Sequence, residues 1–150
     1  HSFRNSSRPE ELEAASKRPR APPVVDPAQL SEFFTTGGAR GRIEAGAEVT
    51  WDFHDFPGAF PVLVQEVVPN EKVVLQWEAG DDARTWTTVT ITFQELEDGR
   101  TYVRINEFGW PGTETGLKSC LGNCEGWTGM LCAMKVWLEN GIRLRDGFYK

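Results

Sequence analysis

The chain has 150 residues, of which 39% are hydrophobic and 25% charged, the size and balance of one globular domain with a buried core. No apolar run approaches the roughly 20 residues that a membrane-spanning helix needs, so we expect no insertion into a membrane. A formal net charge of −6 opposes attraction to nucleic acid, which we therefore exclude as a partner.

The N-terminal residues lack a regular hydrophobic pattern and run into a proline-rich stretch. We interpret residues 1–20 as a poorly defined segment or the remnant of a tag, and residues 21–150 as a single domain. Asp26 followed by Pro27 supplies an N-cap and a first-turn proline. This pair predicts a short helix over residues 28–34.

The middle of the chain alternates apolar and polar residues with a period of two, which predicts β-strands. The clearest case is Val89, Ile91 and Phe93, which alternate with threonines. The predicted strands cover residues 40–45, 48–53, 62–68, 73–77, 88–93 and 102–106. Their short connections, rich in Gly, Asp, Asn and Pro, indicate an antiparallel meander with one apolar face.

The C-terminal third changes to a helical period and ends at Asn140-Gly141, a helix stop signal. Gly122, Gly126 and Gly129 lie inside this helix and predict either a kink near Gly122 or room for something packed beside it. The apolar stripe of the helix is Leu117, Leu121, Cys124, Trp127, Leu131, Met134 and Leu138. The order of short helix, six strands and long helix predicts an α+β fold in which the final helix covers the sheet.

Few residues of the sequence point to catalysis or to metal binding. His54 is either a general base oriented by a neighbouring aspartate or a polar residue at the end of a strand. Cys120, Cys124 and Cys132 lack a fourth zinc ligand, so we expect them to pack in the core. Their clustering in one segment indicates a reducing cytoplasm rather than a disulfide framework. We expect no catalytic residue, metal or cofactor, and we lean against an enzyme.

Tryptophans on predicted inward faces are the strongest hint of a binding site. Trp51, Trp77 and Trp127 either fill the core or line a cavity that a strongly curved sheet leaves open. Glu107 follows the inward phase of its strand, unless it is exposed beyond the strand end. A carboxylate pointing inward must find a partner, become protonated or meet a ligand.

Several passages of the sequence resemble a known superfamily. Residues 125–131 (EGWTGML) and 137–145 (WLENGIRLR) are similar to the terminal helix of the SRPBCC superfamily, the START-like and Bet v-type helix-grip folds. Within it, the resemblance is to the branch related to the activator of heat-shock-protein-90 ATPase. Residues 26–30, 68–77 and 88–93 agree in the same order. The stretch before residue 21 departs from the family, which usually begins there with an edge strand and a first helix.

The resemblance implies a helix-grip fold, with a curved antiparallel sheet wrapped around a long C-terminal helix and a cavity between them. His54 and Glu107 would be the polar anchors of that cavity. Carried over by position, the cavity walls would include Trp51, Phe53, Trp77, Ile91, Glu107, Trp127, Leu131 and Met134. Together with the anchor His54, these are the expected ligand-binding residues.

The function that the resemblance implies is the binding or carriage of a small apolar molecule. Two alternatives stay open. One is an enzyme of the polyketide cyclase or aromatase kind, in which Glu107 or His54 moves protons. The other is a chaperone-linked interaction domain of the activator of heat-shock-protein-90 ATPase type. A protein partner or a homodimer is also left open by the sequence.

Overall fold

The computed structural model describes residues 22–78 and 84–148, so the segment 1–20 of the sequence analysis lies outside the described residues. A 3-10 turn, Pro23–Val25, precedes helix α1, Pro27–Phe33. Helix α2, Glu114–Asn140, closes the order of elements. The six strands between them are β1 Gly38–Arg40, β2 Glu48–Phe53, β3 Phe56–Val68, β4 Lys72–Glu78, β5 Trp86–Glu95 and β6 Thr101–Phe108.

The six strands form one antiparallel sheet in chain order, from β1 to β6. Strand β3 is 13 residues long, and its pairing shifts register twice, opposite Trp51–Phe53 of β2 and again between Val64 and Glu66. Such irregularities bend a strand and increase its twist, which lets a long strand follow a curved sheet. The predicted α+β helix-grip fold, a curved antiparallel sheet with a long C-terminal helix, is confirmed.

The predicted strand over residues 40–45 is wrong. Strand β1 is Gly38–Arg40, and the chain then turns, with left-handed φ values of 87° at Gly41 and 81° at Gly46. Ile43 is buried, and its N–H donates to the carbonyl of Val25 at 3.1 Å. The apolar spacing in this stretch reflects one anchoring side chain between two glycine turns, rather than a paired strand.

Helix α1 begins as its capping residues predict. The Asp26 carboxylate accepts a hydrogen bond from the Ala28 N–H at 2.9 Å, and Pro27 occupies the first helical position, where no N–H is required. Leu30 and Phe33 point into the core. The helix therefore packs one apolar side against the rest of the fold.

Helix α2 runs for 27 residues without interruption. The hydroxyl of Thr113 caps its start by accepting from the Gly116 N–H at 3.0 Å. Gly141 ends it with a φ of 68°, and the Gly141 N–H donates to the carbonyl of Trp137. Its internal glycines therefore do not break the helix. In the described part of the chain, no helix is both long and apolar enough to cross a bilayer.

The apolar stripe predicted for α2 is only partly correct. Leu117 and Leu121 are 60% and 61% exposed, and Leu138 is exposed as well. The hydrophobic positions of α2 that are buried are Trp127, Met130, Ala133 and Met134. A spacing of three and four fits more than one row of side chains on a helix, and here the buried row begins at Trp127.

The core lies between the inner face of the sheet, α1 and the second half of α2. The inner face of the sheet supplies Val49, Trp51, Val62, Val64, Val73, Leu75, Trp77, Val89 and Ile91, all buried. These residues alternate along their strands, as the period of two predicts.

Candidate functional site

An aromatic cluster joins the sheet to both helices. The indole rings of Trp77 on β4 and Trp127 on α2 stack with their centroids 5.2 Å apart and their planes at 28°. Phe34, which follows α1, stacks on Trp127 at the same centroid distance. Trp51 packs edge-on against Trp77 at 5.5 Å. The rings therefore fix the position of the middle of α2 over the sheet.

The carboxylate of Glu107 lies at the centre of a hydrogen-bond network that includes two of these rings. Trp77 Nε1 donates to Oε1 at 2.7 Å, and Trp127 Nε1 donates to Oε2 at 2.8 Å. The Thr87 hydroxyl donates to Oε1 at 2.6 Å. Asn123 Nδ2 lies 3.2 Å from both oxygens. Glu107, on β6, has thus found its partners inside the protein, on β4, β5 and α2.

A cavity of about 500 Å³ opens between the sheet and the first half of α2. Its apolar wall consists of six aromatic side chains, Phe34, Phe53, Phe56, Phe60, Trp77 and Trp127. Its polar side chains are Asp55, Glu78, Ser119, Asn123 and Arg145. An apolar cavity with a few polar groups is the usual form of a site for a small molecule.

Two glycines of α2 keep this cavity open. Gly122 and Gly126 line it, and a Cβ atom added at either position would meet no other atom within 4 Å. The two positions are four residues apart and share one face of the helix. Of the two interpretations drawn from the sequence, the structure therefore supports the one in which these glycines leave room beside the helix.

Comparison with known proteins agrees with this architecture. A family model described as Activator of Hsp90 ATPase homolog 1-like protein matches residues 24–139. The chain belongs to this family. The resemblance seen in the sequence is thereby confirmed. No curated protein matches the chain.

Two solved structures share the fold of this family member. The protein SSP2350 from Staphylococcus saprophyticus is 28% identical, with a TM-score of 0.66 over 82% of this chain and 83% of that one. The protein MLL2253 from Mesorhizobium loti is 18% identical, also with a TM-score of 0.66, over 82% of this chain and 93% of that one. At that lower identity the likeness concerns the fold alone.

Three of the predicted site residues line the cavity, namely Phe53, Trp77 and Trp127. Trp51 and Ile91 are buried in the core and do not line it. Glu107 does not line it either, but it bonds to both tryptophans of the wall.

The remaining predicted residues lie elsewhere. His54 is exposed in the turn between β2 and β3, where its backbone N–H donates to the Thr36 hydroxyl at 2.9 Å. Leu131 and Met134 line a second cavity of about 790 Å³, between the second half of α2 and the β5–β6 hairpin. The predicted set therefore divides between two ends of the helix and a surface turn.

Sequence reasoning missed several residues of the wall, among them Phe34, Phe60 and Asn123. Asn123 did carry a signal, because it is four residues before Trp127 and so shares its helix face. Phe60 lies in the first part of β3, which the alternating pattern did not cover.

The cysteines do not pack in the core as expected. Cys124 and Cys132 are exposed, and Cys120 is half-buried; all three are free thiols. They occupy the outer side of α2 because its buried row starts at Trp127 and runs along another face. Within residues 22–78 and 84–148, no group of three or more metal-binding side chains occurs.

Proposed function

We propose that this domain binds a small, largely apolar molecule in the cavity between the sheet and the first half of α2. The observation that carries the proposal is the aromatic cavity of about 500 Å³ bordered by Gly122 and Gly126. That volume lies within the range of roughly 300–1,000 Å³ typical of small-molecule sites. A filled core would leave no such space beside a helix.

The cavity is held in shape by groups that do not depend on a ligand. The Glu107 carboxylate bonds to Trp77 on the sheet and to Trp127 and Asn123 on the helix. These bonds fix the spacing between the two layers at the place where the cavity opens. A preformed site binds its ligand at a lower cost in conformational entropy.

The geometry supports binding better than proton transfer. Both oxygens of Glu107 already accept hydrogen bonds from the protein, and Glu107 does not line the cavity. His54 lies in an exposed turn outside the cavity. A general acid or base must reach the proton that it transfers. The Glu107 carboxylate is instead occupied by donors from Trp77, Thr87, Asn123 and Trp127.

The test uses N-phenyl-1-naphthylamine, an uncharged probe whose fluorescence rises in apolar surroundings. We expect the wild-type protein to bind one molecule of probe. Gly126→Leu places a side chain in the cavity, and we expect it to weaken binding by at least about tenfold. Because glycine is a poor helix former, this substitution does not lower helix stability.

Thr128→Leu is the matched control. It adds a leucine to an exposed position of the same helix, outside the cavity, and we expect it to leave the affinity unchanged. Equal affinity of the wild type and Gly126→Leu would contradict the proposal. So would an equal loss of affinity in both variants, since it would indicate binding elsewhere or a general effect on the helix.

A chaperone-linked role is the second candidate. The family description names an ATPase activator, and the exposed Leu117 and Leu121 form an apolar surface on α2 that a protein partner could cover. Stimulation of the ATPase activity of heat-shock protein 90 by the wild type, and not by a Leu117→Ser, Leu121→Ser variant, would support it. No stimulation at saturating domain would exclude it.

A further inference from the structure

The side-chain amide of Asn123 has a fixed orientation. The oxygens of Glu107 accept hydrogen bonds, so the NH₂ group of Asn123, 3.2 Å from both, must face them. Its Oδ1 consequently points to the other side. Asn123 lines the cavity, and its Oδ1, turned away from Glu107, is the acceptor of the amide that remains for a ligand. In the described part of the chain, no group donates a hydrogen bond to it.

The aromatic wall favours a flat ligand. Phe53 and Phe60 stack with an interplanar angle of 19°, and Trp77 and Trp127 stack at 28°. Phe34 and Phe53, and Phe60 and Trp77, meet edge-on at 72° and 60°. The wall therefore offers ring edges as well as the outer faces of the stacked pairs. A planar aromatic molecule matches both, since aromatic rings prefer offset-stacked and edge-to-face contacts.

The charges around the cavity disfavour an anion. Among the described residues that line the cavity, Arg145 is the cation, and its Nη2 lies 3.6 Å from Asp55 Oδ1, so these two opposite charges offset each other. Glu78 lines the cavity as well, and Glu107 lies just behind the wall. Like charges brought together in a binding site cost several kcal/mol, so these carboxylates disfavour an anionic ligand.

From these three observations we infer that the ligand is a planar aromatic molecule, neutral or cationic, that donates a hydrogen bond to Asn123 Oδ1. The donor is a hydroxyl or an N–H group at the edge of the ring system. The inference rests on the proposed function of the cavity and adds the chemical class of its ligand.

Four naphthalenes of similar size test the inference by titration calorimetry near neutral pH. They are 2-naphthol, its methyl ether 2-methoxynaphthalene, 2-naphthoate and 2-naphthylmethylammonium. We expect 2-naphthol to bind about tenfold more tightly than the ether, which has no donor. We expect 2-naphthoate to bind at least about tenfold more weakly than 2-naphthol, and the ammonium compound at least as tightly as 2-naphthol.

Asn123→Ala tests whether the preference for 2-naphthol over its methyl ether depends on the Asn123 amide. In this variant we expect 2-naphthol and its ether to bind within about twofold of each other, because the acceptor is gone. Glu107 keeps its bonds from Trp77, Thr87 and Trp127. Asn140→Ala, which removes an exposed amide at the end of the same helix, should keep the full preference. The comparison of the compounds on the wild type tests the inferred ligand class even if Asn123→Ala does not fold.

The outcomes separate this inference from the proposed function. Equal binding of 2-naphthol and the ether to the wild type, or tight binding of 2-naphthoate, overturns the inference. If Gly126→Leu abolishes the binding of these naphthalenes, the cavity is still the ligand site even though the inferred ligand class is wrong. Failure of all four compounds and of N-phenyl-1-naphthylamine to bind overturns both. A preference for 2-naphthol that persists in Asn123→Ala also overturns the inference.

Discussion

The indole rings of Trp77 and Trp127 stack 5.2 Å apart, although one belongs to a central strand and the other to the C-terminal helix. Their nitrogen atoms donate to the two different oxygens of the Glu107 carboxylate. The pair therefore has two roles. The two side chains form part of the cavity wall, and their N–H groups donate to the Glu107 carboxylate, which links the helix to the sheet.

Glu107→Gln tests whether this carboxylate holds the two layers together. Glutamine has one acceptor oxygen, and its NH₂ group would face the N–H and O–H donors that now bond to Glu107. At least one buried donor then loses its partner, so we expect a loss of about 1–3 kcal/mol in the free energy of unfolding. Urea denaturation measures it.

The control for that experiment is Glu97→Gln, in the exposed turn between β5 and β6. It removes the same charge at a surface site, and we expect a change within about 0.5 kcal/mol. Equal stability of Glu107→Gln and Glu97→Gln would show that the Glu107 network does not stabilise the fold.

Phe56→Ala and Trp51→Ala compare a residue at the cavity edge with a residue of the core. Phe56 is 60% exposed at the edge of the cavity, so we expect Phe56→Ala to change stability by no more than about 0.5 kcal/mol. The affinity of the Phe56→Ala variant for N-phenyl-1-naphthylamine should fall several-fold. Trp51 is 2% exposed, so Trp51→Ala should cost about 3–5 kcal/mol of stability. The reverse pattern, measured by urea denaturation and probe titration, would mean that the cavity is misplaced.

His54→Ala tests whether the histidine of the β2–β3 turn takes part in binding. Its side chain is exposed and does not line the cavity, so we expect the affinity for the same probe to stay within about twofold of the wild type. A loss of affinity of about tenfold or more in His54→Ala would restore His54 as an anchor.

The sequence predicted the elements better than the site, for physical reasons. The alternation in β5 and the burial of Trp77 follow from the period of two, which is a local property. The partners of Glu107 come from two other strands and from α2, and their convergence depends on strand register and helix rotation. The spacing of Leu117 and Leu121 could not fix that rotation, since several rows of a helix share the same spacing.

The glycines also show which features the sequence reveals and which depend on the folded backbone. From the sequence alone, Gly122 and Gly126 indicated either a kink or space beside the helix, because glycine is unfavourable inside a helix. The structure distinguishes the two, since the helix is continuous and both positions border open space. Gly41 and Gly46 bound a stretch that was predicted to be a strand from its alternating pattern, and in the structure Ile43 is its one buried residue. Positive φ angles could not be inferred from the alternation around them.

The most direct test of the cavity is the nuclear magnetic resonance spectrum of the indole N–H groups during titration with 2-naphthol. The signals of Trp77 and Trp127 report on the wall itself, and that of the exposed Trp86 serves as a reference outside it. We predict that the Trp77 and Trp127 signals shift together and saturate while Trp86 stays unchanged. Shifts confined to Trp86, or no shift of Trp77 and Trp127 when binding is saturated, would contradict the account.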